Sequence, residues 1–152
     1  MKQTITTLFT LALFIIVSCN KETDDWKFCS GCTIEAWTGT FSGNGKYYDS
    51  IHNEGIIKDI PLLINIENPF NQTLDISVSS PQEFSWQFTG QKQDNDYYIN
   101  IAGSSQSLIL NLYKNDGGDY KLSGVAKLYQ YNSYDSTYHT TASVTFEALK
   151  NN

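Results

Sequence analysis

The chain has 152 residues and a formal net charge of −6, with 10 basic residues, all lysine, against 16 acidic ones. This length fits a single domain. The acidic balance and the absence of arginine exclude the basic surfaces with which proteins bind nucleic acids or anionic membranes. No nucleic-acid partner is therefore expected.

The first 18 residues have the features of a secretory signal peptide. Lys2 gives a short positive start, and a mostly apolar run of 13 residues from Ile5 to Val17 follows it. Such a run is too short for a membrane-spanning helix, which needs about 20 apolar residues, but it suits the apolar core of a signal peptide. We therefore predict that residues 1–18 are removed on export.

The apolar run ends in Ile16-Val17-Ser18-Cys19, which resembles the lipobox of bacterial lipoproteins. The resemblance implies that the thiol of Cys19 receives a diacylglyceryl group, that cleavage occurs before Cys19, and that the new amine is acylated. Two or more acyl chains hold a protein stably on a membrane. The alternatives are an ordinary secretory signal in which Cys19 is incidental, or an uncleaved anchor.

Residues 19–33 would form a polar, lipid-anchored tether. Its acidic residues Glu22, Asp24 and Asp25 resemble the surface-export signals of some gram-negative lipoproteins. The resemblance implies an outer-membrane location, with the domain on the cell surface or on the periplasmic face.

The tether ends in Cys29-Ser30-Gly31-Cys32. Because an exported chain is in oxidising surroundings, we predict a structural disulfide between Cys29 and Cys32. Thiol–disulfide exchange is an alternative, but it usually needs a helix after the motif, and residues 33–37 predict a strand. A zinc site that adds His52 and His139 lacks paired ligand spacing, so no metal is expected and both histidines are expected in solvent.

Residues 34–152 are predicted to form one β domain, since their dominant hydrophobic period is two. In the last strand this alternation places Tyr138 on the same dry face as Val144 and Phe146. Gly43-Asn44-Gly45 predicts a tight hairpin, and Asn68-Pro69 predicts the end of a strand. The predicted strands are 34–42, 46–51, 57–67, 72–79, 84–89, 97–102, 107–114, 119–131 and 136–149.

Eight or nine short antiparallel strands joined by tight turns predict an all-β meander, which can close into a barrel or fold into a two-layer sandwich. Trp37-Thr38-Gly39-Thr40-Phe41, placed before this meander, is similar to the start of the lipocalin-like barrels of the calycin group. The resemblance implies a barrel whose closed end is plugged by Trp37, and we prefer it to the sandwich. The chain departs from that family in having Glu35 where glycine is usual and in having no arginine to cover the indole.

No nucleophile elbow, metalloprotease motif or phosphate-binding loop is present, so we predict a protein that is not an enzyme and has no cofactor. In a barrel, the ligand would be small and apolar. The residues expected to line its site are Trp37, Phe84, Trp86, Phe88 and Leu110. In a sandwich, exposed tyrosines would instead offer flat apolar rings with polar tips to a glycan or a protein.

The expected function is thus a lipid-anchored module that binds a small apolar ligand or a glycan. One alternative is an accessory subunit of an envelope protein complex, which adds an exposed strand edge to its partner. A second alternative is a thiol–disulfide oxidoreductase that uses Cys29 and Cys32. An apolar internal cavity above about 300 Å³ would favour a small ligand, and a filled interior with an aromatic patch outside would favour the accessory subunit.

Overall fold

The computed structural model describes residues 25–51, 55–92 and 97–151. The predicted signal peptide 1–18, Cys19 and His52 lie outside these residues. In the described part of the chain, no helix is long and apolar enough to cross a membrane. The elements in chain order are β1 (Lys27–Phe28), α1 (Ile34–Trp37), β2 (Gly39–Asp49), β3 (Ile57–Phe70), β4 (Thr73–Ser80), β5 (Phe84–Gln91), β6 (Tyr98–Ala102), β7 (Gln106–Lys114), β8 (Tyr120–Asn132) and β9 (Thr137–Lys150).

The nine strands form one antiparallel sheet. Its order is β1-β7-β8-β9-β2-β3-β4-β5, and β6 also pairs with β7. From β2 onward, each strand pairs with the next one in the chain except at the step from β5 to β6, and the last strand, β9, pairs with β2. The predicted all-β antiparallel meander is confirmed.

The predicted closed barrel is wrong, because no ladder joins β5 to β6 among the described strands. The strand β5 still contacts the neighbouring hairpin of β6 and β7 through the side chains of Ile101 and Gln106. The side-chain amide of Gln106 donates to the carbonyl oxygen of Gln87 at 3.0 Å. Ile101 packs closely on Gly90: a Cβ added at position 90 would lie 2.5 Å from Cγ1 of Ile101. The sheet therefore curls around its core without closing, and it does not divide into the two sheets of a sandwich.

One hydrophobic core lies on the inner face of this curled sheet, and it follows the predicted alternation. Burying a large apolar side chain stabilises a fold by about 1.5–3 kcal/mol, so a core of this size can hold the domain together without a metal. Its largest fully buried side chains are Trp37, Phe41, Phe88, Ile64, Ile66, Leu74, Ile76, Ile99, Leu108, Leu110, Leu112 and Leu122.

Two sequence predictions about β2 are wrong. Residues 34–37 form the single-turn helix α1 and not the start of a strand, and Gly43-Asn44-Gly45 lies in the middle of β2 and not in a hairpin. A Cβ at Gly43 would lie 2.6 Å from Cα of Ala148, and one at Gly45 would lie 2.5 Å from Cδ1 of Leu62. These glycines are present because neighbouring strands and side chains approach too closely for a side chain.

Asn68-Pro69 interrupts the pairing of β3 with β4 as predicted, but the predicted end of the strand at residue 67 is wrong. The strand continues to Phe70 through an irregularity, where the register with β4 shifts between Glu67 and Phe70. The side-chain amide of Asn68 donates to the carbonyl oxygens of Asn71 at 2.6 Å and Thr73 at 2.8 Å. An irregularity of this kind is where a strand tolerates proline, because no ladder donor is required there.

The sheet has two distinct ends. The helix end holds residues 25–38, the β3–β4 turn at 71–72 and the β7–β8 turn at 115–119. The hairpin end holds the β2–β3 connection, the β4–β5 and β6–β7 turns, and the β8–β9 turn at 133–136. The strand β8, with 13 residues, runs from one end to the other.

The helix end is covered by α1, which is held by the end of β9. The ammonium group of Lys150 donates to the carbonyl oxygens of Glu35 at 2.9 Å and Ala36 at 3.2 Å. Burial lowers the pKa of Lys150. This attachment keeps Trp37 fully buried in the core.

Candidate functional site

The five residues predicted to line a ligand site are not brought together. Trp37, Phe88 and Leu110 are fully buried members of the core. Trp37 lies on α1 at the helix end, whereas Phe84 begins β5 at the hairpin end. None of the five residues lines the grooves that lie on the outer face of β2, β8 and β9, beside the cysteines, beside Trp26 or on the β8–β9 hairpin.

Phe84 and Trp86 instead join Tyr47 in an aromatic cluster near the hairpin end. The ring centroids are 4.2 Å apart for Phe84 and Trp86, and 5.0 Å apart for Tyr47 and Phe84. The hydroxyl of Tyr47 donates to the carboxylate of the buried Asp49 at 2.8 Å, and Asp49 also accepts the backbone N–H of Ile51 at 2.8 Å. Burial, followed by this contact with Asp49, raises the pKa of Tyr47. The cluster therefore fixes the point where β2 ends.

The hairpin of β8 and β9 extends beyond the strands that flank it. The pairing of β7 with β8 reaches Leu128, and the pairing of β2 with β9 reaches Ala142. Beyond these points β8 and β9 pair with each other from Tyr129–Thr140 to Asn132–Thr137. We call residues 129–140 the tyrosine ribbon. Every residue from 130 to 139 in it is exposed.

The tyrosine ribbon carries three exposed tyrosine rings. Tyr131 and Tyr138 face each other across the strands with ring centroids 5.2 Å apart. Tyr134, in the turn, is 97% exposed. The predicted burial of Tyr138 is wrong, because the register shifts between Leu128 and Tyr129 and the ribbon projects past the core. Binding loops are often rich in tyrosine, serine and asparagine. Tyrosine supplies a rigid contact surface, and serine and asparagine supply adaptable hydrogen bonds.

The turn of the ribbon is fixed by its own side chains. The carboxylate of Asp135 accepts the Thr137 hydroxyl at 2.8 Å and contacts Nε2 of His139 at 2.7 Å. The hydrogen bonds from Thr137 and then His139 lower the pKa of Asp135. The Thr137 hydroxyl also contacts Nε2 of His139, at 2.8 Å. In a catalytic triad the hydroxyl and the carboxylate bind opposite ring nitrogens, so this arrangement holds the turn and does not have the geometry that activates a hydroxyl.

Three exposed isoleucines lie at the same end of the sheet as the ribbon. Ile51, Ile56 and Ile57 are 63%, 61% and 64% exposed. The backbone N–H and the hydroxyl of Ser50 both donate to the carbonyl oxygen of Thr141, which places this connection beside the base of the ribbon. We call Ile51, Ile56, Ile57, Tyr131, Tyr134 and Tyr138 the end patch. Large apolar side chains left exposed at one end of a domain make that end a candidate interaction site.

The sequence predicts exposed tyrosines in general terms, but it places Tyr138 on a buried face and does not predict the exposed isoleucines of the end patch. Ile51 was placed at the end of a predicted strand and Ile57 at the start of another. The signal that could have found two of them is the pair Ile56-Ile57, since adjacent residues of an extended chain point to opposite sides and cannot both reach one core.

The structure joins Cys29 and Cys32 in a disulfide. Cys29 is buried, and its backbone N–H donates to the carbonyl oxygen of Leu112 at 2.9 Å. Thiol exchange needs an accessible sulfur; Cys29 is buried, whereas Cys32 is only partly buried. Within the described ranges, no three His, Cys, Asp or Glu residues are grouped so that they could hold a metal ion.

The comparisons with known proteins give no relative: no protein-family model, curated protein or solved structure matches this chain.

Proposed function

We propose that this protein is a non-enzymatic lipoprotein, anchored by lipid at Cys19 in the outer membrane of a bacterium. It serves as an accessory subunit, and its end patch binds a protein partner. The observation that carries the proposal is the collection of six large, exposed apolar side chains at one end of a sheet with a packed core. The lipobox sequence around Cys19 supports the anchor.

The geometry favours this surface over an internal site for a small apolar ligand. Trp37, Phe88 and Leu110, which would line such a site, pack in the core at no more than 2% exposure. By contrast, Tyr131, Tyr134 and Tyr138 remain 51%, 97% and 55% exposed. Aromatic anchors with few rotatable bonds supply much of the binding energy at protein interfaces, because they lose little entropy when they are buried.

A glycan is the second candidate partner, and one groove favours it. This groove on the ribbon has a volume of about 330 Å³. Amide, hydroxyl, imidazole and phenol groups, which can hydrogen-bond to a neutral polar ligand, line it. They belong to Gln130, Tyr131, Asn132, Ser133, His139 and Thr141. The isoleucine side chains of the end patch cannot form hydrogen bonds with the hydroxyl groups of a sugar. For this reason we prefer the protein partner.

The proposal is tested by photo-cross-linking in cells of the producing bacterium. A photoreactive phenylalanine analogue replaces Tyr134 in one strain and Thr89 in another. Thr89 is an exposed residue on the far strand β5 and serves as the matched control. We expect a discrete protein adduct from position 134 only. We also expect its loss when Tyr131→Ser and Tyr138→Ser are added.

Two results would count against a protein partner. An adduct whose added mass is removed by glycosidases would transfer the proposal to the glycan. Equal adducts from positions 134 and 89 would show that the end patch has no special role.

A further inference from the structure

The segment that leads into the sheet is fastened to it along its length. We call residues 25–33 the strap. Its strand β1 pairs with the end of β7, with Phe28 opposite Tyr113. The ring of Phe28 lies 4.8 Å from the rings of both Tyr97 and Tyr113. The disulfide between Cys29 and Cys32 then closes the strap on itself.

Charged contacts hold the first residues of the strap to the same end. The ammonium group of Lys27 lies 3.4 Å from the carboxylate of Asp25 and 3.3 Å from that of Asp116 in the β7–β8 turn. The ammonium group of Lys121 lies 5.1 Å from the ring centre of Trp26. Trp26 therefore has a defined place at the helix end of the sheet.

The distance to the proposed anchor is short. Asp25 follows Cys19 by six residues. Six residues reach at most about 20 Å even when fully extended. If Cys19 carries the lipid, the helix end cannot lie farther than this from the membrane. The aromatic and lysine side chains of the strap are of the kinds that settle at the boundary between lipid and water.

The end patch lies at the opposite end of the molecule. The strand β8 begins beside the strap, where Tyr120 pairs with Lys114, and its 13 residues end in the tyrosine ribbon. At about 3.3 Å per residue, it spans about 40 Å.

We infer that the strap holds the helix end of the sheet against the headgroups of the membrane, and that it thereby presents the end patch about 40 Å away, on the side that faces outward from that membrane. This inference rests on the proposed lipid anchor at Cys19. It adds that the partner approaches from outside the anchoring leaflet, and that the membrane-facing surface is formed by Trp26, Lys27 and Phe28.

The test uses the lipidated full-length protein in phosphatidylcholine vesicles. Flotation first establishes that the protein is bound. Trp37 and Trp86 are buried, whereas Trp26 is half-buried at the surface, so quenching by acyl chains brominated near the headgroup reports mainly on Trp26. We expect quenching in the wild type and none in Trp26→Phe.

A second readout measures both ends of the sheet. A dye is attached at Gln72→Cys, in the exposed β3–β4 turn of the helix end, or at Ser133→Cys, in the ribbon. Energy transfer to a rhodamine lipid should be strong from position 72 and weak from position 133. Failure to float would overturn the anchor itself. Flotation with equal transfer from both positions, or with no Trp26 quenching, would overturn only the orientation.

Discussion

Gly43 of β2 lies directly against the backbone of Glu147 in β9. A Cβ at position 43 would overlap the carbonyl oxygen of Glu147 and lie 2.6 Å from Cα of Ala148. Since the obstacle is backbone, Gly43→Ala must separate the strands that join the two halves of the sheet. We expect a loss of about 2–3 kcal/mol in the free energy of unfolding. Urea denaturation measures it, and Ser42→Ala in the same strand, which should change little, is the control.

The contact between Lys150 and α1 predicts a stability change at the helix end. Lys150→Met keeps the apolar stem but removes both hydrogen bonds to the carbonyl oxygens of Glu35 and Ala36. We expect a loss of about 1–3 kcal/mol in the free energy of unfolding, because these carbonyls lose a charged donor. Lys46→Met removes an exposed ion pair with Asp59 and should cost less than about 1 kcal/mol. Equal effects of the two substitutions would show that Lys150 does not hold the helix.

The buried hydroxyl of Tyr47 predicts a dependence of stability on alkaline pH. Its pKa is raised from the ordinary value of 10.0, so folding favours the protonated phenol. The stability that the protonated phenol of Tyr47 contributes is fully present below pH 10.0 and declines as the pH rises above that value. Tyr47→Phe should cost about 1–3 kcal/mol near neutral pH, because Asp49 loses its donor. In urea titrations the wild type should lose this advantage over Tyr47→Phe as the pH rises, and a constant difference would contradict the assignment.

The ribbon turn should loosen in acid. Because hydrogen bonds from Thr137 and His139 lower the pKa of Asp135 below its ordinary value of 3.8, its carboxylate favours the folded turn. This contribution is present above pH 3.8 and is lost as the pH falls through the lowered value. The amide proton of Thr137, which bonds to Asp135, should exchange faster at that point. Hydrogen exchange measured by NMR as a function of pH checks this prediction. In Asp135→Asn, the exchange rate of the Thr137 amide should show no such increase as the pH falls.

The exposed tyrosines should affect binding far more than stability. Tyr131→Ser and Tyr138→Ser remove one cross-strand ring pair on the ribbon, which is worth about 0.2–1 kcal/mol. Loss of an aromatic anchor at an interface often exceeds 2 kcal/mol, so affinity should fall by about 30-fold or more. Calorimetry with the cross-linked partner checks affinity, and thermal unfolding checks stability. A large loss of stability without loss of affinity would make the ribbon a structural element.

The alternation of apolar residues predicted most of the sheet. Leu74, Ile76 and Val78 lie buried on one face of β4 as expected, and so do Val144 and Phe146 in β9. Periodicity succeeds where one face of a strand is dry and the other is wet. It could not show that Gly43 and Gly45 face neighbouring strands at close range, since a tight turn has the same local sequence.

The gap between β5 and β6 and the ribbon could not be predicted for a different reason. Both depend on how far neighbouring strands extend, and that is a property of the assembled sheet. Tyr138 continues the alternation of β9 and yet lies exposed, because β2 no longer accompanies β9 beyond Ala142. The one-turn helix at Trp37 likewise depends on a distant residue, Lys150, which binds its carbonyl oxygens.

The central claim is that lipid at Cys19 anchors this sheet to a membrane. Intact-mass and N-terminal peptide analysis of the protein purified from whole cells that produce it tests the claim directly. We predict a mature chain that begins at Cys19 and carries the mass of a diacylglyceryl group and an acyl chain, and we predict that Cys19→Ser lacks both. A mature chain that begins at another residue, or a Cys19 with no added lipid, would contradict the account.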